Sequence, residues 1–142
     1  MRLTIRSAGS KDEAEVVELW RSCDLVASYN DPSVDFRFAK DGACSDVLIA
    51  EDDVGRVIGS VMVGHDGHRG WLYYLAAAEH SRRCGVGRAL VKAAEEWLRK
   101  RDVLKAQLLV RETNPGVVPF YERLGYEAAP RVFMSKRLER VT

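Results

Sequence analysis

A strand, a basic glycine loop and a long helix follow one another without interruption between residues 71 and 101. The run WLYYLAA at 71–77 is apolar and aromatic, which is typical of a β-strand. The loop after it contains Gly85 and Gly87, and from Gly85 apolar residues recur at helical spacing to about Arg101. Because the first turn of a helix has unpaired N–H groups and partial positive charge, this junction predicts a phosphate or pyrophosphate site.

Three arginines surround the glycine loop and strengthen the prediction of an anion site. They are Arg82, Arg83 and Arg88. The alternative is an ordinary strand-to-helix turn with basic side chains in solvent, and the residues alone leave both interpretations open. The common nucleotide motifs are absent: there is no GxxxxGK[ST], and GxGxxG fails because Leu90 occupies its third glycine position.

Strand and helix patterns alternate along the rest of the chain. Ser10 and Glu13 have the spacing of a capping box at the start of the first helix. The whole order predicts an α/β (α+β mixed) fold, with a mixed sheet and helices on both faces. Besides the junction above, the patterns predict strands at about 3–6, 47–51, 57–64, 105–111, 126–129 and 131–138, and helices at about 10–23, 33–41 and 116–124.

Size and charge narrow the class of protein. We expect the 142 residues to form one domain. Lys and Arg number 22 against 21 for Asp and Glu, a balance that argues against nucleic acid or an anionic membrane as the partner. No apolar run approaches the roughly 20 residues that span a bilayer, and the N-terminus lacks an apolar signal core, so we expect a cytoplasmic protein. The widely spaced Cys23, Cys44 and Cys84 predict reduced thiols and no metal site.

Two motifs resemble those of the GNAT acetyltransferase superfamily. Arg82-x-x-Gly85-x-Gly87 is similar to its acyl-CoA signature. The segments VRETN at 110–114 and FYERLGY at 120–126 resemble a second family motif at the expected distance. Closer similarity to the YpeA-like branch of the family is carried by three short segments, at 23–25, 30–32 and 66–70.

The resemblance implies a GNAT fold, with a central, mostly antiparallel sheet whose fourth and fifth strands splay apart. It implies acetyl-CoA as cosubstrate, with backbone groups near Leu75 and Ala77 pairing with the pantetheine arm and an amide near Ala76 polarising the acyl carbonyl. An amine of a small molecule or protein would attack directly. A catalytically idle acyl-CoA-binding regulatory module is the alternative, and a homodimer is left open. The pyrophosphate would contact the residues Arg82, Arg83, Cys84, Gly85, Val86, Gly87 and Arg88.

The same resemblance gives Tyr121 and Asn114 roles beside the cosubstrate. Tyr121 would protonate the leaving CoA thiolate, which suits a phenol because it is protonated at neutral pH. Asn114 would orient the pantetheine or the helix start. For each residue a structural role is the alternative: a core tyrosine on an amphipathic helix, and a capping asparagine.

A general base is harder to assign. Relatives that acetylate ribosomal-protein N-termini carry Glu just before the valine of the second motif, where this chain has Leu109. Glu79, just past strand 71–77, could act through water, although a solvated loop residue is the alternative. Glu112, His65 and His68 are further candidates, and an amine that is already deprotonated would need no dedicated base.

Acceptor recognition is expected from residues 24–36 and from the loop 65–70. Tyr29, Asn30, Asp31 and Asp35 could receive a cationic amine there. The alternative is a polar loop in which one of these side chains caps the following helix.

Overall fold

The computed structural model describes residues 2–141, in which strands and helices alternate. One compact unit ends at Leu109, and a second begins at Val110. The first contains strands β1 (Thr4–Ser7), β2 (Ser45–Glu51), β3 (Val57–His65), β4 (Gly70–Ala77) and β5 (Ala106–Gln107), and helices α1 (Glu13–Ser22), α2 (Pro32–Asp41) and α3 (Val86–Arg99). The second contains helix α4 (Val118–Arg123).

The five strands form one mixed sheet in the order β1-β2-β3-β4-β5. The first four pair antiparallel, and β5 runs parallel to β4. β5 pairs with β4 at Gly70–Ala106 and Trp71–Gln107, so within residues 2–141 the remainder of β4 has no strand partner on that side. The sheet therefore confirms the predicted mixed fold and the predicted separation of the fourth and fifth strands.

Helices cover both faces of this sheet. On one face, Trp20 of α1 donates its indole N–H to Ser60 Oγ of β3 at 2.8 Å. Gly59 points to the other face, where an added Cβ would lie 2.5 Å from Val86 of α3. Consecutive strand residues alternate between faces, so α1 and α3 lie on opposite sides. The core on the α1 face is formed chiefly by Trp20, Phe36, Val47 and Ile49, each fully buried.

The start of α1 differs in detail from the predicted capping box. A 3₁₀ turn, Ser10–Asp12, precedes the helix, and the Asp12 carboxylate accepts the Gly9 amide at 2.7 Å. Asp12 also pairs with Arg6 at 2.8 Å, which holds the pKa of that carboxyl below its usual value. The capping box is therefore shifted by one residue, with Gly9 as the N-cap and Asp12 in the place predicted for Glu13.

Three predicted strands are shorter or absent. The strand predicted at 105–111 is reduced to Ala106–Gln107, and the two predicted near 126–129 and 131–138 do not form. All side chains from Glu127 to Val141 are exposed, so no packing stabilises a strand there. The two C-terminal strand predictions were therefore wrong, because a strand also needs a neighbour to cover one of its faces.

Two helices of the first unit are each followed by an aspartate whose backbone is in the left-handed conformation. Asp24 (φ 57°) follows α1 and Asp102 (φ 60°) follows α3. After α3, the Val103 amide donates to the Leu98 carbonyl at 3.0 Å and the Asp102 amide to that of Arg99, which is a Schellman motif. Glycine is the residue that favours this position.

Replacing the exposed Asp102 by glycine should therefore stabilise the protein. Relief of left-handed strain is worth about 1 kcal/mol, partly offset by the larger unfolded-state entropy of glycine. We expect the melting temperature of Asp102→Gly to rise by up to about 3 °C. Asp102→Ala, which keeps the strain, is the control; an equal melting temperature for the two variants would contradict this interpretation.

Candidate active site

The junction of β4 and α3 exposes a row of backbone amides. Gly85 is the N-cap of α3 in a left-handed conformation (φ 78°, ψ 13°), and no side chain caps the helix. The first amide paired in the helix is that of Ala89, which donates to the Gly85 carbonyl at 3.0 Å. Within residues 2–141, the amides of Val86, Gly87 and Arg88 have no acceptor. Three adjacent donors at the positive end of a 14-residue helix are suited to binding phosphate.

The arginines of the loop differ in their surroundings. Arg83 and Arg88 are exposed, and neither forms an ion pair with any described residue. Arg82 instead turns back to the sheet: its Nε donates to the Ala77 carbonyl at 3.3 Å and its Nη2 lies 3.8 Å from Cys23 Sγ. Two arginines are thus available to an anion, whereas Arg82 holds the end of β4 against α1.

The unpaired side of β4 leads directly to this loop. Leu75, Ala76 and Ala77 lie beyond the two positions at which β5 pairs with β4. The Ala77 carbonyl also accepts a hydrogen bond from Cys23 Sγ at 3.4 Å, so part of the hydrogen-bonding capacity of this carbonyl is already used. A free strand edge can pair with an extended ligand as though the ligand were another strand.

A β-bulge interrupts β4 just before these residues. Ser60 pairs with Ala76 and Met62 with Tyr73, so Tyr74 and Leu75 together lie opposite a single residue of β3. Tyr74 has a left-handed conformation (φ 51°), which is rare for a bulky side chain. Ser60 Oγ, which accepts the Trp20 indole, donates to the Tyr74 carbonyl at 3.3 Å. The buried Trp20–Ser60 pair therefore holds the strained strand in place.

Two acidic residues of the predicted acceptor segment have different roles in α2. Asp31 is the N-cap, and its Oδ1 accepts the amides of Ser33 at 3.0 Å and Val34 at 3.3 Å. Asp35 accepts the Tyr74 hydroxyl at 2.7 Å and is partly buried. Tyr29 and Asn30 are exposed. Asp31 is thus a capping residue, whereas Asp35 contacts β4 at its bulge.

Tyr121 and Asn114 belong to the second unit. Asn114 precedes a 3₁₀ turn, Pro115–Val117, that leads into α4. Helix α4 ends in a Schellman motif: the Tyr126 amide donates to the Tyr121 carbonyl at 3.1 Å, and Gly125 (φ 94°) is left-handed. Burial raises the pKa of the Tyr121 hydroxyl above its usual value, which keeps it protonated.

The candidate bases lie in exposed turns or make local hydrogen bonds. Glu79 is exposed in a 3₁₀ turn, Glu79–Ser81, and Glu112 is exposed in the second unit. His65 ends β3, and its Nδ1 accepts the Gly67 amide at 3.1 Å. His68 lies beside Arg69, 3.5 Å from its guanidinium. Leu109, where some relatives have Glu, is half exposed.

Within residues 2–141, no three His, Cys, Asp or Glu side chains gather as metal ligands would. The three cysteines are free thiols. No helix in that range is long and apolar enough to cross a membrane.

The chain belongs to the acetyltransferase (GNAT) family, whose family model matches residues 14–126. Three solved structures share its fold. A predicted acetyltransferase from Clostridium acetobutylicum with acetyl-CoA is 14% identical, with 95% of this chain and 96% of that chain covered and a TM-score of 0.78. Glucosamine-6-phosphate N-acetyltransferase from Arabidopsis thaliana is 18% identical, with 98% of this chain and 100% of that chain covered and a TM-score of 0.74. A transcriptional regulator from Bacillus halodurans C-125 is 22% identical, with 96% of this chain and 100% of that chain covered and a TM-score of 0.80.

Sequence reasoning missed the bulge and the groups that hold it. The sequence carried no signal for the bulge, because a strand covered on both faces also shows consecutive aromatic residues such as Tyr73-Tyr74. Nothing in the sequence linked Asp35 to Tyr74, which are 39 residues apart.

Proposed function

We propose that this chain transfers the acetyl group of acetyl-CoA directly to a primary amine, with residues 1–142 acting as one acyltransferase domain. The observation that carries the proposal is the row of unpaired amides at Val86, Gly87 and Arg88, directly after an unpaired edge of β4. A pyrophosphate joined to an extended arm needs these two features side by side. Membership of the GNAT family and the fold shared with an acetyl-CoA complex support the same cosubstrate.

Each part of the junction has a role in this proposal. The unpaired amides of Val86, Gly87 and Arg88 bind the pyrophosphate, with Arg83 and Arg88 supplying charge, whereas the Cys84 amide already donates to the Ser81 carbonyl at 3.3 Å. Backbone groups of Leu75 and Ala77 pair with the pantetheine arm, and the Ala76 amide polarises the acyl carbonyl. Positioning and oxyanion stabilisation then provide most of the rate enhancement, because the amine is itself the nucleophile.

Proton transfers complete the reaction. The amine nitrogen bonds to the acyl carbon and the carbon–sulfur bond breaks. The Tyr121 hydroxyl gives its proton to the departing thiolate, and Asn114 orients the pantetheine or the start of the turn that leads into α4. Glu79, acting through water, accepts the proton that the amine loses.

The segments at 23–25, 30–32 and 66–70 support a place in the YpeA-like branch of the family. We propose a cytoplasmic enzyme on the basis of its free cysteines and balanced charge.

Turnover with a panel of amines tests the proposal. Purified protein is incubated with acetyl-CoA and each amine, and the products are identified by mass spectrometry. We expect a product 42 Da heavier than the amine, the mass that replacing H by acetyl adds, together with one free CoA per product. Acetyl-CoA binding without any acetylated amine, lysine peptide or N-terminal peptide would contradict the enzymatic part of the proposal.

Leu109 favours a second candidate, a catalytically idle acyl-CoA-binding regulatory module. The residue offers no carboxylate where some relatives carry Glu, and Glu79 is exposed. One neighbour in fold is a transcriptional regulator. This candidate predicts acetyl-CoA binding with no turnover, so the same amine panel separates the two functions.

A further inference from the structure

An open groove in the first unit is lined mainly by apolar and aromatic side chains. It runs between the end of α2 and the first half of β4, and its volume is about 460 Å³. Phe38 is 82% exposed and Tyr73 47%, which is unusual for large aromatic residues. We call this the aromatic groove and define it by Phe38, Cys44, Met62, His65, Trp71 and Tyr73.

The pair Asp35–Tyr74 lies next to the residues of the groove along both elements. Asp35 precedes Phe38 by one helical turn of α2, and Tyr74 directly follows Tyr73 on β4. The Tyr74 ring stacks on Trp20 with 4.0 Å between centroids, which fixes the hydroxyl that donates to Asp35. The carboxylate is therefore held rigidly by β4.

Asp35 has no cationic partner among the described residues. Within residues 2–141 no lysine, arginine or histidine forms an ion pair with it. Asp66 is the carboxylate that lines the groove itself. Its hydrogen-bonding capacity is already used, because it accepts the amides of Arg69 at 2.7 Å and His68 at 2.9 Å, and the Trp71 indole lies 3.4 Å away. Asp35 is thus the carboxylate with capacity for an external cation.

We propose that the acyl acceptor is a small primary amine with an aromatic or aliphatic body. Its ammonium group binds the Asp35 carboxylate beside the Tyr74 hydroxyl, and its apolar body lies in the aromatic groove. A partly buried carboxylate complements a cation, and aromatic rings around it add to the attraction. The volume matches that of small-molecule sites. The inference rests on the proposed acetyltransferase function and specifies its substrate class.

Binding of three probes tests this substrate class without requiring turnover. Phenethylamine carries both groups, ethanolamine lacks the apolar body, and 3-phenylpropionate replaces the ammonium by a carboxylate. Titration calorimetry should give phenethylamine an affinity about tenfold or more above that of ethanolamine, since it buries a phenyl ring. We expect no measurable binding of 3-phenylpropionate. Equal affinities for the two amines would overturn the apolar part of the proposal.

Matched variants on α2 locate the ammonium. Asp35→Asn should weaken phenethylamine binding by about tenfold or more, because a charge-assisted contact is lost. Asp31→Asn removes the same charge one turn away and keeps a capping side chain, so its affinity should equal that of the wild type. If both variants weaken phenethylamine binding equally, the loss reflects the net charge of the protein and not a direct contact with Asp35. If Asp35→Asn binds phenethylamine as tightly as the wild type does, the proposal is wrong.

A second pair of variants locates the apolar body. Phe38→Ala should reduce the preference for phenethylamine over ethanolamine several-fold and leave ethanolamine binding unchanged. Val34→Ala, on the same helix but outside the groove, should change neither. If sedimentation shows a dimer that Phe38→Ala dissociates, a second copy of the chain covers the groove and the substrate assignment is wrong.

Acetyl-CoA affinity, measured on the same samples, separates this inference from the proposed function. It should be the same in the wild type and in the four variants. Wild-type protein that binds phenethylamine through Asp35 but not acetyl-CoA would contradict the acetyltransferase function alone. Acetyl-CoA binding without a preference for apolar amines would contradict the substrate class alone.

Discussion

Replacing Tyr121 by phenylalanine is expected to reduce turnover by a factor of about 10² to 10⁴, the range typical of general acid catalysis. The substitution removes one hydroxyl and keeps the ring that contacts Phe120 and Tyr126. Burial raises the pKa of Tyr121, so the hydroxyl remains a proton donor at neutral pH. Acetyl-CoA affinity should change little, since the amides at the start of α3 account for most of it. Initial rates at saturating acetyl-CoA and amine measure the effect.

Tyr126→Phe provides the control, because it removes a hydroxyl from a neighbouring ring in the same unit. We expect it to retain turnover. Loss of a hydrogen bond alone would cost about 1 kcal/mol of stability in either variant, which a thermal melt would detect. Full activity of folded Tyr121→Phe would mean that solvent protonates the thiolate, and it would leave the acetyl-CoA site unaffected.

Gly87→Val is expected to abolish acetyl-CoA binding in a protein that remains folded. Side chains on a helix point toward its N-terminus, so a branched side chain at this position covers the unpaired amides of the first turn. Valine is no worse than glycine inside a helix, and Gly87 is only partly buried. We expect at least about a 100-fold loss of affinity in titration calorimetry, since the phosphate contacts are charge-assisted.

Ala93→Val tests whether Gly87→Val loses acetyl-CoA binding because valine disturbs α3 or because it covers the unpaired amides. It introduces the same side chain on α3 at a partly exposed position beyond the first turn. We expect Ala93→Val to bind acetyl-CoA with normal affinity and Gly87→Val not to bind it. If Gly87→Val binds as the wild type does, the phosphate site lies elsewhere.

The elements with local signals could be predicted well from the sequence. The glycine loop and the amphipathic pattern predicted a helix from Gly85, and α3 begins at Val86 with Gly85 as its left-handed N-cap. The strand predicted at 57–64 is β3, Val57–His65, and the helix predicted at about 33–41 is α2, Pro32–Asp41. Caps and turns depend on a few adjacent residues, so their chemistry can be read directly.

Features that depend on distant partners could not be predicted. The bulge at Tyr74 is held by Trp20 and Ser60, and the role of Asp35 depends on a tyrosine from another element. The segment from Glu127 to Val141 shows the converse: its strand-like pattern was present, but no neighbour buries it. Period-2 patterns establish a preference for strand, whereas pairing is decided by tertiary packing.

The most direct test is the melting temperature of the wild-type protein with increasing acetyl-CoA. Binding to the folded state alone adds about 2.7 kcal/mol at a concentration 100 times Kd, which corresponds to a rise of roughly 5–10 °C for a chain of this size. We predict a saturating rise of that order, and none in Gly87→Val. An unchanged melting temperature at millimolar acetyl-CoA would contradict the assignment of the β4–α3 junction as an acyl-CoA site.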